Sequence, residues 1–206
     1  MIDNYDKILP LLEFDPKGQP ADTFYYGFIC RRRKENPNIG SENVVLRDYY
    51  FDNEKKFLDK KEEIDLFCKT FNARMYLNLN KRSYNAVMLE SLTLLSEYIK
   101  KNSPQATKGL FTTACGRTHA QKDKRWILDV DVKDEEFIQK VLTHIEGIRP
   151  LGDKLIARLP TKNGVHLICK PFDLSQFEFG ETKCGNGQDP YEVGIHKNNP
   201  TVLYAI

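Results

Sequence analysis

The sequence predicts an α+β protein in which a ferredoxin-like, or RNA-recognition-motif-like, sheet packs with an α/β lobe that precedes it. Three observations lead there. In the second half, period-two and period-3.6 segments follow one another as strand, helix, strand, strand, weak helix, strand, the order of a split βαβ sheet. In the first half two aromatic strands precede two helical stretches separated by a third strand. The 206 residues are 40% apolar, with 10 Tyr and 12 Phe spread along the chain, enough to build one core with an appended lobe.

Each element has a local reason. Thr23–Arg31 (TFYYGFICR) is aromatic and β-branched and reads as a strand; Val44–Phe51 (VVLRDYYF) can pair with it across the Asn/Pro/Gly/Ser loop 36–41. Between Asn53 and Phe71 the apolar residues Phe57, Leu58, Ile64, Phe67, Cys68 and Phe71 recur at near-helical spacing among charges, predicting a helix. Arg74–Leu79 alternates like a strand. Ser83 is a good N-cap for a long helix to about Lys101, stopped by Asn102–Pro104. A boundary between halves is expected within 106–123, giving an N-terminal lobe over 1–115 and a second lobe over 116–206. Arg125–Val132 then reads as a strand, 135–147 as a helix, Asp153–Leu159 and Val165–Lys170 as strands joined by a tight link. Phe172–Phe179 is a weak helical candidate, and Tyr191–His196 and Thr201–Ile206 are two closing strands.

Charge and cysteine usage bound the function. The net charge is only +2, which excludes a polybasic nucleic-acid coat protein but not a local groove. The first 120 residues carry 19 Lys and Arg against 16 Asp and Glu, a net +3, and the remainder 12 against 13, a net −1. Five scattered cysteines without a CxxC pair read as free thiols of a reducing cytoplasm. Cys115, His119 and Cys184 have no zinc-ligand spacing. The acidic N-terminus has no signal-peptide pattern, and no apolar run reaches the roughly 18 residues of a membrane helix.

Chemistry concentrates in three places. Asp129 and Asp131, two apart on a strand, share a face while Leu128, Val130 and Val132 turn to the core. Paired carboxylates repel unless a cation separates them, and Mg²⁺ or Mn²⁺ shared with substrate phosphates is the usual answer. By itself this pair suits nucleases, glycosyltransferases and polymerases alike, or simply an acidic solvent face. Next comes Lys162-Asn163-Gly164-Val165-His166, a turn entering a strand, where Gly164 permits close backbone approach to a ligand and Lys162, Asn163 and His166 can converge on phosphate. Third is Tyr191–Lys197, in which Glu192, Gly194 and His196 share a face; Glu192 would bring a third carboxylate and Lys197 a cation. In split βαβ topology the first and third strands are neighbours, which brings the acids beside the Gly164–His166 strand.

That order of motifs, Asp129-Val130-Asp131, then Asn163-Gly164-Val165-His166, then Glu192, resembles the catalytic core of the archaeo-eukaryotic primase (primase-polymerase) superfamily. Ile195–Tyr204 (IHKNNPTVLY) is similar to the stretch after the third acid in small phage-like and mobile-element members. The resemblance covers most of the chain. It implies template-directed nucleotidyl transfer with two divalent metals held by Asp129, Asp131 and Glu192, a triphosphate gripped by Lys162, Asn163, Gly164 and His166 with Lys197 beside it, and nucleoside triphosphates and a nucleic-acid template as ligands. It also implies a helicase or another replication protein as partner. The chain departs from the pattern twice: Asn163 stands where Ser is favoured, and Gly194 where Asp is expected before Ile-His-Lys, with Glu192 one pleat away. For the template, the first half offers Arg74, Asn80, Lys81 and Arg82 at a strand-to-helix junction, the Arg31–Lys34 run, and Tyr25, Tyr26, Tyr49 and Tyr50 for stacking. Two rivals remain open on sequence: a non-catalytic nucleic-acid-binding module and a metal-dependent nuclease.

Overall fold

The computed structural model describes residues 1–14, 22–118, 124–179, 193–198 and 200–206. Its elements run β1 (Ile2–Asp3), α1 (Tyr5–Ile8), β2 (Thr23–Arg32), β3 (Asn43–Phe51), α2 (Glu54–Asp59), α3 (Lys61–Phe71), β4 (Arg74–Leu77), β5 (Arg82–Ser83), α4 (Tyr84–Lys100), α5 (Leu110–Arg117), β6 (Trp126–Val130), α6 (Glu135–Gly147), β7 (Leu155–Pro160), β8 (Val165–Cys169), β9 (Val193–His196) and β10 (Thr201–Ala205). The protein is α+β, and its described residues form two antiparallel sheets. One has the order β1-β10-β4-β2-β3, with β5 against β2; the other has the order β7-β8-β6-β9.

The second sheet takes its shape from strict alternation. Leu128 and Val130 of β6, Leu167 and Cys169 of β8 and Val193 of β9 face one way and pack on Phe137, Val141, Leu142 and Ile145 of α6. That helix has the bounds its pattern predicts, and the Asp134 side chain caps it by accepting from the Glu136 and Phe137 amides. On the opposite face, Ile127, Leu159 and Ile168 join a second core with Tyr25, Ile29, Phe57, Ile64, Met75, Leu77 and Leu203 of the first sheet and its helices. The two sheets thus share apolar interior. Buried Asn4 stitches them further, its Nδ2 donating to the Pro160 and Val202 carbonyls at 3.1 and 2.8 Å.

Four sequence expectations need correction. The helix expected over 53–71 is two, broken at Lys60 (φ −89°, ψ −5°), and its first turn is capped by Asn53 accepting from the Lys56 amide. Residues 110–117, expected within the boundary, form α5. That helix is poor in helix formers, but Phe111 packs on Phe24 and Tyr50 (centroids 6.3 and 5.2 Å), and Ala114 and Cys115 are buried with Val87 and Leu94 of α4. Only a three-residue 3₁₀ turn, Leu174–Gln176, occupies the weak helical candidate 172–179. The last strand does not stay with the second half. β10 is buried throughout and is hydrogen-bonded to β1 on one side and β4 on the other. Its run TVLYA is apolar toward both faces, which suits a central strand rather than an edge. A division at 115/116 therefore cuts through the first sheet.

Candidate functional site

A cavity of about 520 Å³ opens where the two sheets meet. The second sheet contributes Asp129, Asp131, His166 and His196, and the turn before β8 contributes Thr161, Lys162 and Asn163. From the first sheet come Phe28, Arg32, Lys34, Arg74 and Tyr76, with Pro200 and Val202 between. Residues remote in sequence converge because β6 and β8 are central neighbours, with Asp129 directly opposite His166. The two acids line the same cavity, as their spacing predicts, with Leu128 and Val130 fully buried on the other face.

Asp129 is held by two imidazoles. His166 Nε2 lies 3.2 Å from its Oδ1 and His196 Nε2 lies 3.9 Å from its Oδ2. Burial pushes the Asp129 carboxyl up, but the hydrogen bonds and charge of His166 and then His196 outweigh it and hold the group well below the usual carboxylate range. His166 is only 8% exposed, and its Nδ1 is 2.8 Å from Thr201 Oγ1 of β10. Both its ring nitrogens are therefore engaged, and the strand that orients it belongs to the other sheet. Gly194 sits opposite Asp129 on β9. A Cβ there would lie 3.4 Å from His196 Nε2 and 3.5 Å from Asp129 Cβ, so the absent side chain leaves room that the His196 ring borders.

The protein's own packing requires glycine in the Lys162–His166 turn. A Cβ on Gly164 would come within 2.6 Å of the Val132 nitrogen and 2.9 Å of the Val130 carbonyl carbon, and closer still to the Val130 oxygen. Glycine lets the turn abut the main chain that carries Asp131. Thr161 closes the turn from its side, with its amide donating to the Gly164 carbonyl (3.0 Å) and its Oγ1 accepting from the Gly164 amide (3.1 Å). Lys162 points toward the first sheet, 3.5 Å from Glu35 Oε1. Glu35 also pairs with Arg74, and both side chains are nearly buried.

Other sequence candidates lie elsewhere. Lys197 sits at the far end of β9, its Nζ 5.2 Å from the Trp126 ring centre, and does not line the cavity. Arg82, 1% exposed, donates to the Asn80 carbonyl (3.2 Å) and to Asn198 Oδ1 (2.7 Å). Asn80 is also buried; its amide brackets Arg125, donating to the Arg125 carbonyl (2.9 Å) and accepting from its amide (2.8 Å). Lys81 is 3.9 Å from Glu13 and lines a separate, smaller pocket. Of the four template candidates only Arg74 reaches the cavity, and it does so locked to Glu35. Tyr25, Tyr26 and Tyr49 are core residues, and Tyr50 stacks on Tyr26 at 5.7 Å. Glu192, Cys184 and His119 lie outside the described residues. The cavity also contains residues that sequence reasoning did not assign to the acids: Arg32 and Lys34 had a visible signal in the Arg31–Lys34 run, whereas Phe28 and Tyr76 (stacked, 5.6 Å) had none beyond strand alternation.

The donor set suits a hard divalent cation only in part. Two carboxylates open to one cavity match the way Mg²⁺ is held by one or two acids together with phosphate oxygens. Among the described residues, however, no three His, Cys, Asp or Glu side chains are grouped to enclose an ion. No described helix is long and apolar enough to cross a membrane. No protein-family model, curated protein or solved structure matches this chain.

Proposed function

We propose that the chain is a template-directed nucleotidyltransferase of primase-polymerase type, acting at the inter-sheet cavity on nucleoside triphosphates. One observation carries this reading: the acid pair and Lys162, Asn163 and His166, some 30 residues apart, line a single cavity to which the first half of the chain adds Arg32, Lys34 and Arg74. The β7-β8-β6-β9 order, with the helix-connected strands β6 and β7 separated by β8, also supports an RNA-recognition-motif-like second half.

Asp129 and Asp131 would hold Mg²⁺ or Mn²⁺. Bound there, the ion would lower the pKa of an attacking hydroxyl and neutralise charge on the departing pyrophosphate. The protein's own groups do the rest. Lys162 and Asn163 bind phosphate oxygens at the cavity mouth, His166 orients Asp129, and the Phe28–Tyr76 face offers an apolar surface to the rest of the nucleotide. Four buried free cysteines, Cys30, Cys68, Cys115 and Cys169, are consistent with a reducing compartment.

The test is Mn²⁺-dependent incorporation of a labelled nucleotide on single-stranded template by purified protein. Asp131→Ala should abolish it, and the reading fails if wild type shows neither incorporation nor metal-dependent nucleotide binding. A second reading, a nucleotide- or nucleic-acid-binding module without catalysis, draws on Gly194 opposite Asp129 and on the histidines that occupy that carboxylate. Binding unchanged by EDTA and by Asp129→Ala would favour it. Degradation of a labelled strand without added nucleotide would indicate a nuclease instead.

A further inference from the structure

The first sheet supplies the cavity with a wall of unusual charge. Arg32, at the end of β2, and Lys34, in the β2–β3 connection, line it together with Arg74 and with Lys162 of the second-sheet turn, and Asp129 and Asp131 line the same cavity. Arg74 is committed: its guanidinium pairs with Glu35, with side-chain exposures of 12% and 13%. Lys162 is shared, 3.5 Å from the same carboxylate while its side chain stays 53% exposed. Among the described residues no carboxylate pairs with Arg32 or Lys34, and the charge of Arg32 instead holds down the Tyr76 phenol against the larger rise that burial causes. Glu35 is fixed in place because its neighbour Asn36 is buried, with Nδ2 donating to the Asn72 carbonyl (2.9 Å) and Oδ1 accepting from the Arg31 guanidinium (2.8 Å). An ion pair thus reaches from the β2–β3 hairpin of the first sheet to the long, half-exposed side chain of a second-sheet turn, at the edge of a cavity of ligand size.

We propose that this wall is a polyphosphate site, with Arg32 and Lys34 receiving the phosphates together with Lys162, and that Glu35 is its resident counter-anion, which Lys162 leaves when phosphate arrives. The site takes a compact polyanion, because its cations line a concavity rather than follow a ridge as backbone-tracking cations do. Glu35 acts as an internal competitor. A ligand with several negative charges displaces one carboxylate from Lys162, whereas a single chloride or acetate does not. Arg74 stays on Glu35 and keeps the hairpin in position. Assigning the phosphates to a nucleoside triphosphate rests on the preceding reading; the anion site itself does not.

The experiment measures binding of inorganic tripolyphosphate to the full chain by calorimetry, in EDTA so that metal plays no part. Arg32→Ala/Lys34→Ala should weaken binding about tenfold or more, the worth of one charge-assisted hydrogen bond. Lys162→Met, at an exposed position, should weaken it as well. Glu35→Gln should tighten it several-fold; because that carboxylate also holds Arg74, its fold is checked by circular dichroism, and the Lys162 variant stands if it unfolds. The proposal is overturned if wild type does not bind tripolyphosphate, or if the double variant binds it unchanged. It is also overturned if the double variant loses affinity only for a single-stranded oligonucleotide, which would make the hairpin a backbone contact. Tripolyphosphate binding at Arg32 and Lys34 without any nucleotide incorporation would leave this site standing while the polymerase reading fell.

Discussion

Gly164→Ala tests whether the turn and the acid-bearing strand are as tightly joined as the geometry requires. The backbone at Gly164 is not left-handed, so space rather than conformation decides the outcome. The new methyl would overlap three main-chain atoms of Val130 and Val132, two of them at 2.6 and 2.9 Å, below the 3.0 Å that real Cβ contacts essentially never breach. Neither side yields easily. Val130 is paired with Val165 on one flank and Val193 on the other, and the turn is closed by two hydrogen bonds between Thr161 and Gly164. Relaxation sacrifices those two bonds, at about 1 kcal/mol each, and overpacking adds about 1–3 kcal/mol. Alanine recovers roughly 0.4–1 kcal/mol through the unfolded chain. The net loss is about 3 kcal/mol, which for a chain of this size is a fall in Tm of roughly 6–12 °C. Scanning calorimetry of Gly164→Ala beside Gly194→Ala, whose methyl meets only ordinary contacts of 3.4 and 3.5 Å, supplies the internal control. If Gly164→Ala melts within a degree of wild type, the close approach is absent and the placement of Asp131 beside the turn falls with it.

Three further predictions follow from the same geometry. Glu35 is pushed up by burial but held below its ordinary range by Arg74 and then Lys162, so its contribution to stability is complete above the unfolded value near pH 4.3 and is lost as pH falls through the lower folded value; Glu35→Gln should therefore flatten the acid limb of a urea-midpoint profile, and an unchanged limb would contradict the pairing. Gly194→Asp sets a carboxylate beside Asp129 and should tighten Mn²⁺ binding by about tenfold, through ligand charge alone; unchanged affinity in a titration followed by electron paramagnetic resonance would show that position 194 does not face an ion site. Arg82→Ala should lower the urea midpoint by the equivalent of about 3 kcal/mol, since it strands buried partners. A variant that folds like wild type yet loses nucleic-acid affinity would restore Arg82 as a template contact.

How much of this was legible depended on whether local pattern or distant packing decided the matter. The β6–α6 unit was readable because alternation over Leu128–Val132, an Asp134 cap and a 3.6-residue apolar repeat all agree. Adjacency of Asp129 and His166 followed from strand order alone. Helix α5 was not readable, since its stability comes from aromatic contacts with β2 and β3 rather than from its own residues. Arg82 and Asn80 read as surface by residue type, yet Arg82 Nη2 donates to Asn198 and the Asn80 amide brackets Arg125, more than 40 residues away in each case. Lys197 is one residue beyond His196, but it reaches the Trp126 ring instead of the cavity, and charge counting cannot see that step. Likewise the Arg31–Lys34 run announced cations without saying that Glu35, its immediate neighbour, would bridge to Lys162.

The sheet assignment of β10 has the largest consequence for the site. Had the closing strand remained in the second sheet, Thr201 could not have reached across from the other sheet to His166, and the cavity would have lacked Pro200 and Val202. Because β10 lies between β1 and β4, the short link from β9 must cross from one sheet to the other beside His196. Buried Arg82 pins that link through Asn198, whose own amide donates to the Gly116 carbonyl at 3.1 Å. Arg82 and Asn80, which by residue type suit a template contact, instead fix the joint at which the acids, the histidines and the basic hairpin meet. Substitutions there will act on the cavity through its walls, and neither half of the chain holds a complete candidate site by itself.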